Sequence, residues 1–345
     1  MRAMSLAVSD AGWGSGILCH DNAVMGAIRP GRAEEDGVSD EHEGMGFEVI
    51  EGDFHDCFIG HARVERLWSG GRWLEGPAWF AAGRYVLFSD IPNERMMRWD
   101  DTDGSVSVFR HRSRNSNGNT VDRQGRLITC EHLSRSVTRT EHDGSLTTLA
   151  ERFEGKRLNS PNDVVEKSDG SIWFTDPSYG ILTDYEGMRA EPELPCHVYR
   201  VDPDNGSIDI VADDFVKPNG LAFSPDERYL YVSDTGATHD RDGPRHIRRL
   251  RVSEDGRSLG ESVVFATCQA GLFDGFRLDR EGRLWSSAGD GVHCFLPDGT
   301  LVGKIRVPET VANVTFGGAK RNRLFICGTT SLYAVYVTAN GCTMG

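Results

Sequence analysis

Six oxygen-bearing side chains recur at one position of a repeated phrase in this chain of 345 residues. They are Glu75, Asn117, Asn162, Asn219, Asp274 and Asn313. Each lies eight residues before the centre of a tight turn, at Gly83, Gly125, Gly170, Glu227, Gly282 and Arg321. Two are acids and four are neutral amides. Carboxylates brought together away from water repel each other unless a counter-charge is present. A divalent cation supplies it. A ligand set of oxygens without Cys or His suits a hard ion, Ca2+ or Mg2+ and also Mn2+, better than a zinc site of His and Cys. Taken singly, Asn117-Gly118, Asn219-Gly220 and Asp274-Gly275 are also good turn dipeptides. Glu75 is no turn former and Asn162 precedes Asp163, so six oxygens in one frame favour a ring around a metal or ligand.

The elements that must bring these residues together are strands. From Glu75 onward, short runs rich in Val, Ile, Leu, Phe, Trp, Tyr and Thr alternate with Asp, Gly, Pro and Asn turns, which is an all-β texture. A second set of turns, at Gly104, Gly144, Gly206, Gly256, Gly299 and Gly341, falls between the first. Six inner and six outer hairpins make six units of four strands. The inner turns are 39 to 57 residues apart, and a four-stranded repeat of about 40–45 residues marks a propeller blade. The expectation is a six-bladed β-propeller with a central metal site. Its first strands line the channel, so equivalent positions form a ring at one mouth.

Loops after the second strand of each blade overhang that mouth: Ile91–Glu94, Glu131–Arg135, Pro177–Cys196 and Thr235–His246. They offer Glu131, His132, Asp176, Tyr179, Asp234, His239 and His246 as a substrate wall, and the 177–196 insertion is a candidate lid. Asp90, Asp176 and Asp234 have an equally good reading as turn caps, and His132 as a half-buried structural histidine.

The formal net charge of −14 argues against a nucleic-acid partner. No run approaches a membrane span, and no secretory signal is evident. The eight cysteines show no C-x-x-C pair, consistent with reduced thiols in a cytoplasmic protein. The basic stretch Arg245–Arg251 alternates like the solvent side of an edge strand. Residues 1–45 lack any sustained period and are expected to be a poorly ordered extension, with Met45 a candidate natural start. Residues 46–345 form the single propeller domain, its ring closed by a strand at Ala62–Trp68. Nothing in the repeat selects an oligomeric state.

Six segments carry a resemblance: EGPAWF at Glu75, SDIPNERMMRWD at Ser89–Asp100, SPNDVV at Ser160–Val165, FTDPSYGI at Phe174–Ile181, KPNGLAFSPDERYLYVSDT at Lys217–Thr235 and DGFRLDREGRLW at Asp274–Trp285. Over roughly residues 48–340 the chain resembles the SMP-30/gluconolactonase/luciferin-regenerating family of six-bladed propellers. The resemblance implies a divalent metal held by Glu75, Asn219 and Asp274, with Asn162 added as in the diisopropylfluorophosphatase relatives. Ca2+ is the first expectation, ahead of Mg2+, Mn2+ and Zn2+. It also implies that Asn117 contacts substrate. The sugar lactonases carry an Arg two positions earlier, where this chain has Asn115 beside Arg114. Asn313 matches no ligand and reads as a supporting residue.

These expectations combine into a metal-dependent hydrolase that opens a small lactone. Asp274 is the catalytic proton acceptor, and Asn117, Glu131, His132 and Tyr179 bind substrate. Two alternatives stand beside it: hydrolysis of a phosphotriester or other ester at the same ion, and a non-catalytic binding propeller with a structural ion.

Overall fold

The computed structural model describes residues 46–342, so the expectations for residues 1–45 lie outside the described residues. Six antiparallel blade sheets, five of four strands and one of four with an added fifth, follow one another along the chain. Their innermost strands are Leu74–Phe80, Ser116–Val121, Val164–Glu166, Pro218–Phe223, Phe276–Leu278 and Val311–Gly317. Each touches the next, and the last touches the first. The ring is therefore closed and the fold is the six-bladed β-propeller.

Closure comes from the N-terminal side. Glu65–Ser69 pairs with Ser331–Tyr336 as the outermost strand of the last blade, three residues shorter at its start than the expected 62–68 strand. Among the described residues there is accordingly no sixth outer hairpin at Gly341. That residue forms an isolated bridge to Asp279 instead. Phe47–Val49 adds an unanticipated fifth strand to the blade that holds Asp274. The basic stretch is also placed differently. His246–Val252 is the third strand of its blade, paired on both sides. Two of its arginines cover aromatic faces, Arg248 over Phe215 and Arg249 over Tyr229, so stacking rather than an edge position accounts for these two.

Apolar side chains fill the wedges between blades. Trp173, Phe223 and Leu230 pack between the third and fourth blades, and Trp285, Phe316 and Val314 between the fifth and sixth. The wedge between the first two blades is thinner, with Leu87, Met96 and Leu127 fully buried. There a polar tie does part of the work. The Asn119 amide nitrogen donates to the Gly76 and Asn117 carbonyls at 2.9 Å and to the Ser89 hydroxyl at 3.0 Å. Of the six inner turns, three place a non-glycine residue in the left-handed region: Arg84, Glu227 and Arg321, at φ 53°, 55° and 53°. In the first of these the left-handed residue is Arg84, one position beyond the Gly83 expected.

Candidate active site at the propeller mouth

Ring residues stand where each innermost strand begins. In four blades the pairing with the second strand slips there, between Glu75 and Ala78, Ser116 and Asn119, Pro218 and Leu221, and Val311 and Asn313. Such bulges bend a strand and re-aim its side chains. Gly76 shows why a glycine follows Glu75. It has φ +51°, and a Cβ there would lie 2.1 Å from the Asn117 carbonyl oxygen of the next blade. Hub strands can approach this closely only without a side chain.

Acids at the ends of the second strands fix how the chain enters the ring. Asp90 accepts the Arg72 N–H at 3.0 Å, Asp176 those of Asn159 and Ser160 at 2.8 Å, and Asp234 those of Val216 and Lys217 at 2.9 Å. The capping reading of these three residues is the one the geometry shows. Burial pushes the Asp176 carboxyl up to about 7, with the two N–H groups pulling the other way.

Glu75, Asn117, Asn162, Asn219 and Asp274 line one cavity of about 370 Å3, together with Tyr179, Glu186, Thr235 and Thr238. That volume falls in the range of small-molecule sites. Trp73, Leu272 and Val311 complete an apolar side. Trp73 and Leu272 precede the first strands of their blades and Val311 begins that of the last, each two residues before a ring position. Glu186 and Thr238 lie in insertions outside the repeated frame, and no periodicity points to them.

The donors are arranged with oxygens to spare. Glu75 accepts from the Gly76 N–H at 2.7 Å and the Asn313 amide at 2.9 Å, both on Oε2. Asn313 in turn accepts the Val314 N–H at 2.8 Å; it holds Glu75 in place. Asn219 donates to the Thr235 hydroxyl at 3.3 Å. The buried Oδ1 of Asn117 has no partner. Burial pushes Glu75 up to about 8. It also drives Asp274 well above the usual carboxylate range, with Glu75 and Asp163 adding like-charge repulsion. The bare site thus disfavours its own negative charges, as a cation site does before loading. Among the described residues no group of three or more His, Cys, Asp or Glu side chains converges. An ion here would draw on the two carboxylates and the amide oxygens, a set that fits a hard cation.

Of the expected wall residues, Glu131 and His132 stand back from the cavity through their own bonds. The Glu131 carboxylate receives Ser134 at 2.5 Å, Thr138 at 2.9 Å and Arg114 at 3.2 Å. Arg114 therefore does not reach the mouth in place of the missing Arg at position 115. His132 is fully buried and burial lowers it to about 4, so it is neutral near pH 7. Its Nε2 accepts from the Asn117 amide at 3.1 Å, while Nδ1–H donates to the Glu186 carbonyl at 3.0 Å. It positions Asn117 and ties the 177–196 insertion to the hub. Gly180 of that insertion rests on it, since a Cβ there would lie 2.5 Å from the His132 ring. His239 and His246 do not line the cavity. Tyr179 does, and its hydroxyl meets those of Thr235 at 2.7 Å and Thr238 at 3.1 Å.

Comparison with known proteins gives a consistent picture. A gluconolactonase of Zymomonas mobilis is 32% identical over 286 residues, covering 76% of this chain and 78% of its own. A 6-deoxy-6-sulfogluconolactonase of Pseudomonas putida is 29% identical, covering 73% and 81%. The solved structure of a gluconolactonase from Xanthomonas campestris superposes with a TM-score of 0.79 at 41% identity, covering 84% and 94%. The family model described as the SMP-30/Gluconolactonase/LRE-like region matches residues 73–330, and the chain belongs to that family.

Proposed function

We propose that the protein hydrolyses a polyhydroxylated lactone with the help of one divalent cation, Ca2+ first among the candidates. The observation that carries this reading is the hub itself: Glu75, Asn162, Asn219 and Asp274 from four blades face one cavity, and its acids resist ionisation without a counter-charge. The lactonase relatives supply the reaction class. When bound, the ion would lend Lewis acidity for carbonyl polarisation and for acidifying water.

The chain's own residues do the rest. Asp274 takes a proton from the attacking water as the water oxygen bonds to the lactone carbonyl carbon. It then returns that proton to the ring oxygen as the carbon–oxygen bond breaks, leaving the open hydroxy acid. Asn117 Oδ1, held by His132, accepts a hydrogen bond from a substrate hydroxyl. Tyr179, Thr235 and Thr238 give further hydroxyl partners, and Trp73 provides an apolar face for the ring. A panel of aldonolactones, aryl esters and phosphotriesters, assayed before and after chelation, tests the reading. Metal-dependent opening of the aldonolactones is expected. Turnover confined to aryl esters or phosphotriesters, or a loss of stability on chelation with no turnover, would contradict it.

A further inference from the structure

The cavity walls differ sharply in charge. Its described lining contains three carboxyl groups, Glu75, Asp274 and Glu186, and no Lys, Arg or His. The nearby cations are engaged elsewhere. Lys217 donates to the Ser178 hydroxyl and sits 5.5 Å from the Tyr179 ring centre, and Arg114 is paired with Glu131. A divalent ion between Glu75 and Asp274 would balance those two charges, leaving Glu186 as the carboxylate without a counter-charge. Burial pushes the Glu186 carboxyl upward from its ordinary value, and Glu186 adds like-charge repulsion at Asp274. Its backbone is tied by the bond from His132 to its carbonyl, and Glu186 lines the cavity. The same lining carries neutral hydrogen-bonding groups: the unpartnered Asn117 oxygen and the hydroxyls of Tyr179, Thr235 and Thr238.

We propose that Glu186 makes the site selective for neutral, hydroxyl-rich lactones and turns away those bearing an anionic substituent. The inference rests on the lactone reading of this same site and adds the charge class of the substrate. A carboxylate accepts hydrogen bonds from hydroxyls and repels phosphate or sulfonate across a poorly solvated gap. The net charge of −14 adds long-range repulsion to the same end. The family contains a member named for a sulfonated gluconolactone, so the fold does not decide the matter and the cavity lining must.

Two unreactive probes test this without turnover: D-glucono-1,5-lactam, which is neutral, and its 6-phosphate. Their binding is measured by calorimetry on the full chain in Ca2+, for the wild type, Glu186→Gln and Glu186→Asp. The backbone bond from His132 is untouched by either substitution. The wild type is expected to bind the neutral lactam roughly tenfold or more tightly than its phosphate. Glu186→Gln should close most of that gap and Glu186→Asp should keep it. A gap unchanged in Glu186→Gln, a wild type that prefers the phosphate, or binding of neither probe would overturn the proposal. Lactone assays on the same samples separate the two readings. Discrimination between the lactams without ring opening would remove the hydrolase reading and leave this one standing, and ring opening without discrimination would do the reverse.

Discussion

Buried acids occupy two neighbouring tiers of this propeller, and they have opposite fates. Asp90 and Asp234, at the ends of second strands, have N–H donors on both carboxylate oxygens: Asp90 accepts from the Arg72 backbone and the Asn93 and Arg95 side chains, and Asp234 from the Val216, Lys217 and Gly236 backbone. Glu75 and Asp274, at the hub, are left with oxygens facing a cavity and with carboxyls pushed upward. A carboxylate that receives several N–H donors is finished as a structural part. One with an oxygen left over, as Glu75 has beside its two donors on Oε2, is costly to keep unless something else arrives. Donors on both oxygens, rather than burial or a raised carboxyl alone, separate scaffold from site, since Asp176 is capped on both oxygens although burial raises it to about 7.

Neutralising each tier should therefore do different damage. Asp274→Asn should lower kcat for lactone opening by about 10²–10⁴-fold while the protein still folds, read from initial rates and a thermal melt. Near-normal turnover would remove Asp274 from its role. Asp234→Asn should instead cost about 1–3 kcal/mol of stability in urea titrations, with kcat changed far less. Should it match Asp274→Asn in lost turnover at full stability, the two tiers would not be distinct.

pH sharpens the same comparison. Glu75 has a folded-state value raised from 4.5 to about 8. Its contribution to the stability of the metal-free protein is thus fully present below about 4.5 and is lost as pH rises through about 8. Melting temperature in chelator should fall over that window, and Ca2+ should restore more of it at the alkaline end, because the ion binds the deprotonated site. A chelated protein equally stable across the window would contradict the hub assignment. The smallest effect expected is at His132. His132→Gln loses the arrangement that orients Asn117 and should raise KM by about 2–10-fold, while the wild type shows no acid limb near the ordinary histidine value, because His132 is held at about 4.

The repeated frame made the ring legible because propeller geometry converts equal spacing into a shared mouth. It worked even where Arg84 replaced the expected glycine, since a one-residue offset in the turn left Glu75 at the strand start. What stayed hidden lay outside the repeat. Glu186 sits in an insertion whose path is set by packing on His132, and Glu131 turns into its blade because Ser134 and Thr138 claim its oxygens. The last blade misled the turn count because its fourth strand comes from the other end of the chain.

Hydrolysis of D-glucono-1,5-lactone by purified protein, after chelation and again after Ca2+ is returned, tests the central claim most directly. The hub reading predicts that turnover disappears with the ion and comes back with it, and that Glu75→Gln fails to recover. Undiminished turnover in chelator, with no metal detected in the protein, would contradict it.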